Sequence, residues 1–113
     1  MQTDLTDQQI EHLKTTQAVL LLFGGPHCGV CQAIKPKLEN LMTSLHPEVV
    51  LVYVDCVSSP AICAQHGVFS LPAVQFHIEG RMYLERGRSF SLLELSDQIE
   101  RIVHLWKAAA DQI

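Results

Sequence analysis

The chain has no long apolar run. Its longest runs, such as Ala18 to Phe23, are six residues, against the ~20 that a membrane-crossing helix needs, so no membrane partner is expected. It also has little charge: 18% of residues are charged and the net charge is −4. Lysine and arginine are scattered, with Arg81, Arg86 and Arg88 the one group of three close together. That pattern excludes a basic nucleic-acid face. The three arginines read as a solvated hairpin edge rather than a phosphate site. No internal repeat, linker or low-complexity segment is present. The opening M-Q-T-D-L-T-D-Q-Q has neither the basic n-region nor the apolar h-region of a secretory signal, and a cytoplasmic protein is expected. Apolar residues, by contrast, are plentiful. At 48% of 113 residues they suffice for one core and are too few for two. One domain spanning residues 1–113 is therefore expected.

Four cysteines in a reducing compartment suggest catalysis, metal binding or plain burial before structural disulfides. Cys28 and Cys31 lie in F-G-G-P-H-C-G-V-C-Q-A-I-K-P, between the apolar run and a helical pattern. The first turn of a helix carries unpaired N–H groups and the positive end of the macrodipole. A thiol placed there ionises more readily, and the thiolate is the nucleophile. Residues i and i+3 share a helix face, so the second sulfur can reach the first. A strand, a C-x-x-C and a helix together are the arrangement of a dithiol–disulfide exchanger. A structural zinc site fits poorly, because zinc needs four ligands, usually as two close pairs. Cys56 and Cys63 do not make a C-x-x-C, and His27 is the only histidine next to the motif.

The pattern along the chain predicts α β α β α β β α. Thr6 to Thr16 is a short helix opened by a capping box of Thr6 with Gln9. Ala18 to Phe23 is a strand buried on both faces. Ile34, Leu38, Leu41, Met42 and Leu45 recur at helical period, and Pro36 inside that helix should kink it. Val49 to Val54 is a second buried strand. Ser59 and Pro60 start a short helix that stops at Gly67. Ala73 to Ile78 and Arg81 to Glu85 form a hairpin about Glu79-Gly80. Ser91 with Glu94 opens a last helix to about Ala110, with Leu95, Ile99, Ile102, Val103 and Trp106 as its core stripe. The strand–helix–strand unit implies a parallel, right-handed crossover.

With these residues in place the chain resembles the thioredoxin family along nearly its whole length. C-G-V-C matches the family's redox motif. Pro36 matches the proline of the active-site helix, and Leu71-Pro72 the segment that carries a cis-proline facing the cysteines. Gly80 and Gly87 fit the hairpin turn and the glycine before the last helix. The resemblance implies an α/β thioredoxin-like fold, with a four- or five-stranded mixed sheet flanked by helices on both faces. It implies a protein thiol–disulfide oxidoreductase with Cys28 and Cys31 catalytic, and His27, Gly29, Val30, Leu71 and Pro72 shaping the site. Disulfide-containing proteins would be the substrates and an upstream reductase the source of electrons. No metal or cofactor is implied.

The chain departs from the family at several positions. Gly29-Val30 stands where thioredoxins have Gly-Pro, and His27 where they have tryptophan. Leu22 takes the place of a buried aspartate and Leu51 that of its lysine partner. The family's first strand is missing, which leaves Val49 to Val54 as an uncharged edge. Either Gln2 to Leu5 lies along that edge or two subunits pair there, giving a monomer or a weak homodimer. His27 reads equally as a cation beside the Cys28 thiolate or as an exposed loop residue. Phe69 and Leu71 are expected to present apolar surface beside the cysteines, and Trp106 to pack. Cys56 and Cys63 are read as small buried hydrophobes, with a second disulfide or auxiliary redox pair as the alternative. Rival functions are a non-catalytic interaction module and a thiol redox sensor.

Overall fold

The computed structural model of the protein describes residues 1–111. Its elements follow the expected order: α1 (Asp7–Thr16), β1 (Ala18–Gly24), α2 (Gly29–Leu45), β2 (Val50–Asp55), α3 (Pro60–Gln65), β3 (Ala73–Ile78), β4 (Arg81–Gly87) and α4 (Leu92–Ala110). The sheet has four strands in the order β2-β1-β3-β4. β1 runs parallel to β2 and antiparallel to β3, and β3 is antiparallel to β4.

β1 is buried along its whole length, because its pleat serves two cores. Ala18, Leu20 and Leu22 face Leu38 and Met42 of α2 and Leu95, Ile99 and Val103 of α4. Val19, Leu21 and Phe23 face Ile10 of α1 and Ile62 and Cys63 of α3. A strand with apolar residues on both faces can only be central. β4 is the opposite case. Only Leu84 of it is buried, and exposed Arg81, Glu85 and Arg86 blunt that edge.

The local signals act as their chemistry requires. Thr6 and Gln9 form the full reciprocal capping box. Ser91 Oγ accepts from the Glu94 N–H. Glu79 and Gly80 carry φ of 48° and 90°, the paired positive values of a two-residue hairpin turn. α2 continues through Pro36 as one helix. The Leu71-Pro72 bond is cis.

The β2 edge is not open. Gln2 forms a parallel bridge with Val52. Its N–H donates to the Leu51 carbonyl at 2.9 Å, and its carbonyl accepts from the Tyr53 N–H at 2.9 Å. The terminal ammonium of Met1 anchors this segment on Glu39 at 2.8 Å. Of the two arrangements expected for that edge, the chain uses its own N-terminal residues.

Candidate active site

Cys28 and Cys31 stand where β1 hands over to α2. Cys28 is the N-cap of α2, with extended backbone, and its sulfur does what a capping serine oxygen would do. Sγ of Cys28 accepts the Cys31 N–H at 3.2 Å, one of the orphan donors of the first turn. The two sulfurs are joined in a disulfide. Cys28 is half-buried, whereas Cys31 is fully buried. One sulfur can meet a partner and the other can meet only its neighbour.

The remaining expected site residues divide by exposure. His27 and Gly29 are exposed, and Val30 is 57% exposed. Among the described residues His27 has no hydrogen bond or ion pair. Pro72 is buried and Leu71 half-buried. A methyl group on Gly25 would stand 3.6 Å from both Leu71 Cδ1 and Val57 Cγ2. Leu71 therefore borders the turn that leads to Cys28. Val57, 64% exposed, joins that apolar rim. Among the described residues, neither backbone group of Leu71 has a hydrogen-bond partner within the chain.

Behind Cys31 lies the parallel pairing of β1 with β2. Leu22 pairs across β1 and β2 with Tyr53, while Leu51 pairs with Leu20. The residue beside Leu22 is thus a tyrosine two positions beyond Leu51. The Tyr53 hydroxyl accepts from Gln32 Nε2 at 3.4 Å, and the same Nε2 donates to the Gly25 carbonyl at 3.0 Å. Lys35 Nζ lies 4.0 Å from the centroid of the Tyr53 ring, within cation–π range. Burial, with Asp55 second, pushes the Tyr53 pKa up, partly offset by the Gln32 hydrogen bond. Gly24 makes the arrangement possible. A Cβ there would meet Tyr53 Oη at 2.8 Å and both Cys31 Cβ and Tyr53 Cε2 at 3.0 Å.

Cys56 and Cys63, expected as unpaired buried residues, form a second disulfide with Cα atoms 5.7 Å apart. A turn at Asp55 brings them together. Its Oδ1 accepts from Val57 N at 2.8 Å and Ser58 N at 3.3 Å, folding α3 back onto the end of β2. The pair lies near the dithiol along the backbone, since Cys56 N donates to the Gly24 carbonyl at 2.8 Å.

Tyr53, Gln32 and Gly24 were not among the expected site residues, yet two signals pointed to Gly24 and Tyr53. A glycine at the end of a fully buried strand marks a close approach. A phenol in an otherwise aliphatic run needs a polar partner for its hydroxyl.

Three comparisons bear on this site. The thioredoxin family profile matches residues 2–101. Thioredoxin 1 of Synechococcus elongatus is 29% identical over 79 residues, which cover 70% of this chain and 73% of that protein. A protein disulfide-isomerase of Humicola insolens is 36% identical over 66 residues, 58% of this chain and 13% of the larger protein. The chain thus spans only a small part of the isomerase. Among solved structures, Fasciola hepatica thioredoxin superposes with a TM-score of 0.79 at 25% identity, covering 89% of this chain and 98% of that one. A Halobacterium salinarum thioredoxin mutant superposes with a TM-score of 0.78 at 21% identity, with 88% of each chain covered.

Proposed function

The chain belongs to the thioredoxin family, and from that premise we propose that it is a protein thiol–disulfide oxidoreductase acting through Cys28 and Cys31. The observation that carries the reading is the N-cap position of Cys28, whose sulfur already accepts the Cys31 N–H. In the reduced protein that site stabilises a Cys28 thiolate. The thiolate attacks a partner's disulfide, bonds to one of its sulfurs and expels the other as a thiolate. Cys31 then attacks Cys28, closing the Cys28–Cys31 bond and releasing the second partner sulfur. Two electrons pass to the partner, and an upstream reductase returns them.

Around this exchange, exposed His27, Gly29 and Val30 form the approach to the sulfur. Leu71 offers its free backbone groups to an extended partner segment, as in strand addition, and Pro72 shapes the floor beside it. Residues 1–113 act as one domain, and the Gln2 pairing on β2 supports a monomer. No helix among the described residues is long and apolar enough to cross a membrane, which is compatible with work in the cytoplasm.

Insulin reduction by dithiothreitol tests the reading. The protein should hasten the turbidity of the released chain, and Cys28→Ser should abolish the acceleration. A wild-type protein that gives none would favour the non-catalytic interaction module.

A further inference from the structure

We propose that Tyr53 is a positioning residue for Cys31, donating its phenolic hydrogen to the Cys31 sulfur whenever that sulfur carries negative charge. The inference rests on the exchange chemistry above but concerns a residue outside the motif.

Three observations converge on it. First, Tyr53 is 7% exposed, and its oxygen accepts from Gln32 Nε2. Among the described residues no group accepts its proton. A buried hydroxyl normally spends its donor. Here the donor is spare while the cysteines are bonded, and a disulfide sulfur is a weak acceptor. Opening the disulfide turns Cys31 into a thiol or thiolate, and a thiolate is a strong acceptor. Second, Tyr53 and Cys31 border the same small space beside Gly24. The hydroxyl, the Tyr53 ring and Cys31 Cβ all lie within 3.0 Å of the point where a Gly24 side chain would begin. Third, two residues of α2 hold the phenol. Gln32 fixes its oxygen, and Lys35, one turn beyond Cys31 on α2, lies over its ring.

The charges around this pocket are few. α2 contributes Lys35, β2 contributes Asp55, and Cys28 is the other thiol. β1 faces it with Leu22 and Gly24, so no carboxylate on the central strand serves Cys31. Burial holds the phenol above its ordinary range, which keeps its proton in place while Cys31 titrates.

During resolution the Cys31 thiolate attacks Cys28, the Cys31–Cys28 bond forms, and the bond from Cys28 to the partner breaks. The electron pair leaves on the partner's sulfur. Tyr53 is not consumed. Its hydrogen bond favours the thiolate that makes the attack and holds that sulfur in place.

The test measures the Cys31 thiol directly, so that it does not depend on turnover. In a Cys28→Ser background, ¹³Cβ NMR of labelled cysteine follows Cys31 through pH. Tyr53→Phe keeps the ring and the Lys35 contact while removing the hydroxyl. It should raise the Cys31 pKa by about one unit, a tenfold shift toward the thiol. Gln32→Ala, which frees the phenol oxygen, should move it less. Separately, the intact motif with Tyr53→Phe should resolve mixed disulfides about tenfold more slowly at neutral pH and approach the wild-type rate in alkali. Superimposable Cys31 titrations in the two Tyr53 forms would overturn the inference even in a fully active protein. Loss of insulin reduction in the wild type would instead strike the proposed function.

Discussion

Nζ of Lys14 lies 3.0 Å from Nε2 of His66, pairing α1 with the end of α3. His66 Nδ1 lies 2.8 Å from the Ile62 carbonyl. A carbonyl can only accept, so Nδ1 carries the hydrogen and Nε2 receives the lysine's. Glu11 Oε1 holds the same ammonium at 2.9 Å, and Lys14 keeps the Glu11 carboxyl below its ordinary range. The His66 ring stands edge-on to His77, with centroids 6.3 Å apart.

His77 inherits a cost from this neighbourhood. Burial, with Lys14 and His66 behind it, lowers its pKa to about 4. The unfolded chain, near 6.5, binds that proton more readily, so stability falls as pH drops from about 6.5 toward 4. The loss is on the order of 3 kcal/mol at most. Urea titrations at pH 7 and pH 4.5 should show the decline, and His77→Gln should flatten it. A parallel decline in the variant would place the sensitivity elsewhere.

Exposure of one site sulfur and burial of the other give an order of attack. Cys31→Ser should accumulate mixed disulfides through Cys28, and Cys28→Ser should accumulate none. Mass spectrometry of adducts decides this. Equal trapping in both, or trapping through Cys31, would reverse the assignment.

The Cys56–Cys63 bridge closes a short loop, with a sequence separation of seven. Closing a loop of that size removes roughly 2.5 kcal/mol of unfolded-state freedom. Cys56→Ser with Cys63→Ser should lower the unfolding free energy by about that amount while leaving insulin reduction measurable. An inactive but stable double variant would show that the second pair takes part in the exchange.

Gly24→Ala puts two effects against each other. The methyl group would meet Tyr53 Oη at 2.8 Å and Cys31 Cβ at 3.0 Å, and overpacking of this kind costs roughly 1–3 kcal/mol. The gain from a stiffer unfolded chain is only about 0.4–1 kcal/mol. The denaturation midpoint should therefore fall. A midpoint that holds or rises would mean that the tyrosine ring yields freely.

Removing residues 1–5 should uncover the β2 edge now closed by Gln2. Sedimentation of the shortened chain should show concentration-dependent association absent from the whole one. Two monomers, with fast hydrogen exchange at the Tyr53 amide only in the shortened chain, would show that the bare edge is tolerated.

The sequence was most legible where a local rule acts alone. The Thr6–Gln9 box, the Glu79-Gly80 turn and the two-sided burial of β1 follow from neighbours a few residues apart, and the elements other than α2, which begins five residues before its apolar stripe, lie within a residue or two of their expected bounds. Cys28 and Cys31 are of this kind, since their spacing and helix position carry their geometry. What could not be read depends on register and on turns between elements. Tyr53 beside Leu22 requires the parallel offset of β1 and β2. The Cys56–Cys63 pairing requires the Asp55 turn to bring α3 back. The covering of β2 by Gln2 needed a choice between two arrangements that the edge alone could not make.

The single indole of the chain has a consequence for observation. Trp106 Nε1 donates to Glu79 Oε1 at 2.8 Å, fastening α4 to the hairpin turn. That turn is separated from Pro72 by the whole of β3, which at ordinary strand rise is ~20 Å. The intrinsic fluorophore therefore sits at the opposite end of the sheet from the sulfurs. Its emission is an optical gauge of whether the last helix is docked on the hairpin, and is insensitive to whether Cys28 and Cys31 are joined. A redox titration of this protein must be read by thiol labelling or mass, while fluorescence remains free to follow folding in either oxidation state.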